Sequence, residues 1–410
     1  MTARIESLLS ARLFQVPQIV GDRIFFVSNL SGRLSLYAMD AGGSVPEPLL
    51  PPDVALQNPH HVIRLFQVYP DLGKILIMLD HDGDENYQPM WIPIDGGYPE
   101  AIFGEALTGY RCHLSHHDEE ANVAYFYGES RHEPVNVSLR ANLATGELTE
   151  LYRSMYGGAA LASDVANRRV VLNEGYTVGD NVLMLWTEGG EGPRVLYGKP
   201  LAERAPGEEA PLTSFGATEF SPSGDSLLLT TSLFEDTYGL AAIRPDTPHE
   251  IARVEVRSAV HSGAGEMENL VHLRGDRYAV QYNIDGCTWL YEGQFDEARL
   301  TMQLGAVICG QGELAGGVMD GFNYDRHGDC FVLSFSTATS PTQIYTVGGP
   351  QRDQVRRHTR ERVLGLPAEY LSPGEDASFV SHDGLRVSAR LYLPPPALGY
   401  EGPRPVVYYV

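Results

Sequence analysis

The chain has 410 residues, 43% of them hydrophobic, with 43 Gly, 27 Pro and a formal net charge of −23. This material suffices for a large core with many turns and excludes a largely disordered chain, while the acidic balance, with no basic stripe to offset it, disfavours a nucleic-acid partner. No run approaches the roughly 18 apolar residues of a membrane span, and no basic segment precedes an apolar core at the start, which predicts a soluble cytoplasmic protein without a membrane partner.

In chain order, the first predicted element is a short helix over residues 3–13. It sets Ile5, Leu8, Leu9 and Leu13 on one face, with Thr2 as a cap. Residues 1–16 are therefore read as a docking segment. A repeating unit follows, and its clearest copy is EFSPSGDSLLLTTS at residues 219–232. An apolar approach strand meets a tight turn, and a short, fully apolar exit strand leaves it. Exit strands begin near Ile24, Ile75, Val123, Val170, Leu227, Tyr278 and Phe331, 47 to 57 residues apart. Each turn carries Gly, Asp or Asn, the residues that tolerate positive φ. A strand-built repeat of about 50 residues is the signature of a β-propeller, and seven exit strands predict seven blades over residues 17–363. One four-stranded sheet exposes two apolar faces and two edges. A ring of sheets covers the faces and leaves only short edges. A β-sandwich is the competing architecture, but sandwich strands recur without this longer period.

Blade 1 is expected to place strands near 18–29, 34–40 and 47–50. Blade 2 carries HDGDENYQPMWIPIDGG at 81–97. Its Asp80, Asp82, Asp84 series suggests a calcium loop, yet Glu85 and Trp91 stand where such a loop needs Gly and Glu, so a solvated hairpin turn is predicted. Blade 3 (107–154) contains His116, His117, Glu119 and Glu120, assigned to the turn before 121–127, where polar residues are ordinary. Blade 4 (155–213) has a Gly-rich loop at 188–194 that lacks the Gly-Lys-Ser/Thr of a phosphate loop. Blades 5, 6 and 7 are placed at 214–262, 263–313 and 314–363. Cys112, Cys287, Cys309 and Cys330 show no metal-ligand spacing and are read as buried free thiols. No catalytic, cofactor-binding or metal residue is nominated, and no cofactor is expected.

Past Val363 the pattern changes. A Pro and Gly bearing linker spans 364–374. Then 379–381 is expected to pair, through an Asp383-Gly384 turn, with a long strand that places Leu385, Val387, Ala389, Leu391 and Leu393 on one face. Pro394, Pro395 and Pro396 stop it. Residues 406–410, VVYYV, read as a strand buried on both faces and therefore as the first piece of a second domain, truncated here. Residues 364–410 are accordingly assigned to a linker and the first strands of a truncated second domain.

The seven-blade repeat, the HDGDENYQ turn, the hairpin SHDGLRVSARLYLP and the strand PVVYYV together resemble the prolyl oligopeptidase family of serine peptidases, with the acylaminoacyl-peptidase branch nearest. The resemblance implies a propeller that caps an α/β-hydrolase domain, with residues 364–410 as a linker and the first strands of that domain, truncated, and it implies that the propeller admits short peptides by size, with homo-oligomers possible through edge strands. Were the side chains of 406–410 to lie in solvent, or to close the ring, this assignment to proteolysis would collapse. The resemblance also implies a strand such as 405–410 running into a His-Gly-Gly oxyanion loop, then a Gly-x-Ser-x-Gly elbow, an aspartate and a histidine. None of these is present, and no serine here has glycine at both −2 and +2. The chain alone is expected to be inactive. Some relatives hold a substrate amine with a Glu-Glu pair. Glu119-Glu120 and Glu208-Glu209 both fall in apparent turns and are not assigned that role. Two other readings remain: a free-standing binding scaffold of the WD40 or TolB-like kind, and a propeller glycosidase using paired carboxylates across the axis.

Overall fold

The protein is described by a computed structural model covering residues 4–209 and 212–409. Seven sheets follow one another along the chain, six of them four-stranded antiparallel meanders in sequence order and one, the sixth, such a meander with a fifth strand added in parallel at its outer edge. Their inner strands are Gln15–Val20, Phe66–Tyr69, Tyr110–Asp118, Gly157–Ser163, Phe215–Phe220, Gly265–Arg274 and Val318–Asp325. The chain is an all-β, seven-bladed propeller.

The second strands begin at Arg23, Lys74, Val123, Arg169, Leu227, Arg277 and Cys330, each within one residue of a predicted exit strand. Their uniform apolarity has a simple cause. Ile24 and Phe26 pack toward blade 7 while Phe25 and Val27 pack toward blade 2. Likewise Leu227 and Leu229 face blade 4, and Leu228 between them faces blade 6. Both faces are buried, so alternation disappears. Each such side chain contributes roughly 1.5–3 kcal/mol on removal from water. The turn ahead of every second strand holds one residue at positive φ: Gly21, Gly73, Asn122, Asn167, Gly224, Gly275 and Asp329, between 49° and 73°.

Because all blades run the same way, the ring has two distinct faces. The inner strands begin on the leading face and end on the trailing face. Blades 1 and 7 are each built from contiguous chain, so no strand is exchanged across their seam. Closure rests on packing of Phe14, Ile19, Phe26 and Tyr37 against Val332 and Ile344, and on a bond from Ile19 N to Asn323 Oδ1 of 3.3 Å.

Four expectations need correction. The N-terminal helix is a single turn, Ile5–Leu8, without a side-chain cap, and its apolar side chains are exposed rather than docked; Thr2 lies outside the described residues. Four residues are too few for a stable isolated helix. Strand Glu255–Arg257, expected within blade 5, instead pairs in parallel with the outer strand of blade 6, Thr301–Cys309. The hairpin at Asp383-Gly384 forms, pairing Phe379–Val380 with Arg386–Val387, but the long strand beyond it does not. It breaks where Arg386 and Ser388 turn to Asp285 of blade 6, and only Arg390–Leu391 resumes, paired with Glu375–Asp376. Finally, Val406 to Tyr409 form no strand and lie in solvent, 64 to 101% exposed; Val410 is outside the described residues. An extended segment with no neighbour has no ladder to join. That segment therefore lends no support to a peptidase assignment. Among the described residues from 364 onward there is no α-helix and no parallel strand pair, so the start of an α/β domain is not formed here.

Candidate functional site

The inner strands border the central channel, and they are the least regular. Those of blades 1, 3, 4, 5, 6 and 7 carry bulges. A bulge re-aims side chains and loosens the apolar alternation that packing would otherwise enforce. Where these strands end, at the trailing mouth of the channel, a cavity of about 400 Å³ is lined by His116, His117, Glu119, Glu219, His272 and Arg326 among others. A second cavity, about 480 Å³, continues round the mouth past blades 1, 2 and 7 and shares Glu119 and Arg326 with the first.

Two kinds of acid line this mouth. Asp118 and Asp164 are structural: Asp118 accepts from Asn167 Nδ2 at 2.7 Å and Ala121 N at 3.0 Å, and Asp164 from Arg168 N at 2.8 Å and Arg169 Nε at 2.9 Å. Glu119 and Glu219 have no such closure. Glu219 stands near the end of the blade 5 inner strand, and desolvation inside the ring pushes its carboxyl up to about 7, against the backbone N–H of His272 and the charges of Arg326 and Arg64. Glu119 is raised for the same first reason. Its nearest partner is His117, with Nε2 3.4 Å from Oε2.

The two histidines are held neutral. Burial, then the field of Arg64, pushes His116 down to about 4, and His117 is lowered further from its ordinary value by burial, Arg64 and His116. His116 Nε2 bonds Ser163 Oγ at 3.1 Å, tying blade 3 to blade 4. His117 Nδ1 is buried without a partner. The cation lining the mouth is Arg326, with a hydrogen bond from Nη2 to His272 O at 3.3 Å; Arg64, ahead of the blade 2 inner strand and outside the lining of both cavities, reaches Gln67 Oε1 at 3.5 Å and acts on the mouth through its field. Among the described residues neither makes an ion pair. The mouth thus holds a guanidinium and carboxylates in one cavity without an ion pair between them, and perturbed carboxyl and imidazole groups gathered in a cavity mark a candidate binding site.

Sequence reasoning placed His116 and His117 in a turn. They lie on the inner strand Tyr110–Asp118, with Glu119 and Glu120 in the turn just after it, and all four border the channel mouth. Glu219 went unnoticed. The signal was there: it is the one ionisable residue in the otherwise apolar and neutral run FGATEF. Glu208 lies elsewhere, paired with Lys199 at 2.7 Å. The blade 2 acidic turn is closed on itself, Asp80 accepting from Gln57 Nε2 and Glu85 N and Asp84 from Asn86 N. The four cysteines are free; Cys112 and Cys309 are buried, Cys287 and Cys330 half-buried.

No protein-family model and no curated protein matches the sequence. Solved structures do. A prolyl endopeptidase from a study of inter-domain dynamics in two such enzymes superposes with a TM-score of 0.66 at 12% identity, over 92% of this chain and 54% of its own. A puromycin-hydrolyzing peptidase from Mycobacterium tuberculosis gives 0.66 at 13%, over 94% and 58%. Prolyl oligopeptidase B from Galerina marginata gives 0.62 at 11%, over 93% and 56%. At these identities the likeness establishes the fold: this is a propeller resembling the propeller domains of prolyl oligopeptidase-type peptidases. The chain spans little more than half the length of these structures.

Proposed function

We propose that this chain is the gating propeller of a serine peptidase of the prolyl oligopeptidase type, admitting short peptides or acyl-peptides to a catalytic domain that is not part of these 410 residues. The observation that carries the reading is the leading face. Ile63, Met155, Val178, Phe234, Val260 and Val318, from blades 2, 4, 5, 6 and 7, are all exposed there. Val45, Tyr98 and Val165 are exposed on the trailing face as well, but the leading face carries more such side chains, from five blades, and that excess fits a surface that another domain covers. The N-terminal turn and the C-terminal segment sit on that same side: Arg12 pairs with Glu361, and Arg386 with Asp285 in a leading-face turn. The structural relatives, in which this chain accounts for 54 to 61% of the length, support the same reading. The sequence contains no Gly-x-Ser-x-Gly, and the chain alone is inactive on this reading.

The test is the reading frame past Val410, followed by labelling with a serine-reactive fluorophosphonate. A continuation with His-Gly-Gly and Gly-x-Ser-x-Gly, label on the longer protein and none on the 410-residue chain is the expected result. A stop codon at that point, or label on this chain alone, refutes it. The free-standing scaffold is the second reading, favoured by one observation: Val406 to Tyr409 lie in solvent rather than in a strand.

A further inference from the structure

The trailing mouth has an arrangement that a passive sieve does not need. Glu219 on blade 5 and Glu119 on blade 3 stand across the channel region from Arg326 on blade 7, and the field of Arg64 from blade 2 reaches both carboxylates. None of the four closes an ion pair with another within 4.0 Å among the described residues, although opposite charges in a low-dielectric channel attract strongly. The inner strands hold them apart. Arg326 spends one of its five donors on His272 O, and the Glu219 carboxylate faces no side-chain donor, only the backbone N–H of His272, among the described residues. The neighbouring acids Asp118 and Asp164, by contrast, are fully engaged within their turns. Neutral His116 and His117 form the wall between the charged groups.

A ligand that satisfies such a mouth must bring both signs of charge. A simple anion meets Arg326 and is repelled by two glutamates; a simple cation meets the reverse. We propose that the trailing mouth is a binding site for short unblocked peptides, with Arg326, backed by Arg64, taking the terminal carboxylate and Glu219, with Glu119, taking the terminal ammonium. Arg is suited to the carboxylate because its planar donors bind both oxygens at once. The cavity of about 400 Å³ lies within the usual range of about 300–1,000 Å³ for small-ligand sites. A blocked or long chain forfeits one or both ends, so the mouth selects free termini as well as size. The ligand class rests on the gating reading above; the site itself does not.

The experiment titrates the 410-residue chain by calorimetry at pH 8 with Ala-Ala-Ala, its N-acetyl form and its C-terminal amide. The free tripeptide is expected to bind at least tenfold more tightly than either blocked form. Arg326→Gln removes the advantage of the free carboxylate and keeps that of the free amine; Glu219→Gln does the opposite. Circular dichroism confirms that both variants are folded. Equal binding of all three peptides, no binding at all, or equal loss for free and amidated peptide in Arg326→Gln overturns the proposal. A chain that discriminates termini but belongs to no peptidase leaves the site standing and sinks the gating reading. A peptidase whose propeller binds none of the three does the reverse.

Discussion

The charge on Glu219 comes at a cost to stability that can be measured. Its carboxyl titrates at about 7 in the folded ring against 4.5 for the free group, so the folded state holds the proton more tightly than the unfolded chain. A raised carboxyl contributes its full stability below pH 4.5, where both states are protonated. That stability is lost as pH rises from 4.5 toward 7, because only the unfolded chain ionises freely, and it stays lost above 7. At about 1.36 kcal/mol per pH unit the ceiling is roughly 3.4 kcal/mol. The side chain is only half-buried, beside a cavity wide enough for water, and that screening lowers the expectation to about 2 kcal/mol. Glu219→Gln removes the ionisation and keeps the shape. The variant is expected to match the parent near pH 4.5 and to exceed it by about 2 kcal/mol at pH 8, with the gap opening between those values. Urea unfolding followed by fluorescence of Trp91, Trp186 and Trp289 across pH 4.5–8.5 measures it. Glu119, His116, His117 and His272 face the same space and also titrate, but they are common to both proteins and largely cancel in the difference. A gap independent of pH, or a variant less stable than the parent at pH 8, refutes the reasoning.

Three further predictions concern the frame that holds this site. Arg352, 3% exposed, bonds Glu292 of blade 6 and Asp329 of blade 7 at 2.7 Å each, so Arg352→Met strands two carboxylates on Arg277 alone and is expected to cost about 3 kcal/mol in urea unfolding; a change below about 0.5 kcal/mol contradicts the clamp. Gly158 sits at φ +117, and a Cβ there falls 2.8 Å from Ser138 Oγ and 2.9 Å from Tyr152 Cδ1, so Gly158→Ala is expected to lower stability by at least about 2 kcal/mol, whereas exposed Gly146→Ala, with nothing within 4 Å, shows only the smaller cost of its own positive φ. Asp285 anchors the C-terminal hairpin through Arg386 and Ser388, so Asp285→Ala is expected to speed tryptic cleavage at Arg386 and Arg390 several-fold while leaving the propeller's unfolding midpoint unchanged; equal cleavage rates show that the anchor holds nothing.

What was legible in the sequence follows a radial order. Second strands such as RIFFVS and SLLLT stand out because blades bury them on both sides, and their turns stand out because the backbone must adopt positive φ at Asn122, Asn167, Asp329 and four glycines. Inner strands do not stand out. Tyr110–Asp118 reads YRCHLSHHD, its alternation broken by a bulge at Ser115, opposite Tyr125 and Phe126 of the facing strand, and a run of polar residues at its end imitates a turn. That is why His116 and His117 were misplaced and no site residue was nominated. The polar strand Glu255–Arg257 gave no cue to its parallel pairing with the next blade, because pairing direction leaves no trace in three residues. The alternation from Leu385 to Leu393 was real as a pattern, but a pattern forms a strand only where a partner edge exists, and Asp285 bends this one after Val387.

The same radial order explains how a ring can carry charge at its centre. Stability resides in the second and third strands, where clusters such as that of Val170, Leu172, Met184 and Trp186 fill the space between neighbouring blades. Inner strands feed the clusters on both sides, as Ala160 and Ala162 do for the two neighbours of blade 4, but their trailing ends and the turns after them border the channel rather than a blade, and there Glu219 and Arg326 are held. Because every blade runs in the same direction, whatever differs between the start and the end of an inner strand is repeated around the ring and becomes a difference between its two faces. The leading face exposes Ile63, Met155, Val178, Phe234, Val260 and Val318; the trailing mouth gathers charge, with Val165 exposed beside it. A channel that is charged at one mouth and borders an apolar face at the other has a direction. A peptide with two charged ends is recognised where water still competes, and on the gating reading its passage leads toward the covered side, where a second domain meets it.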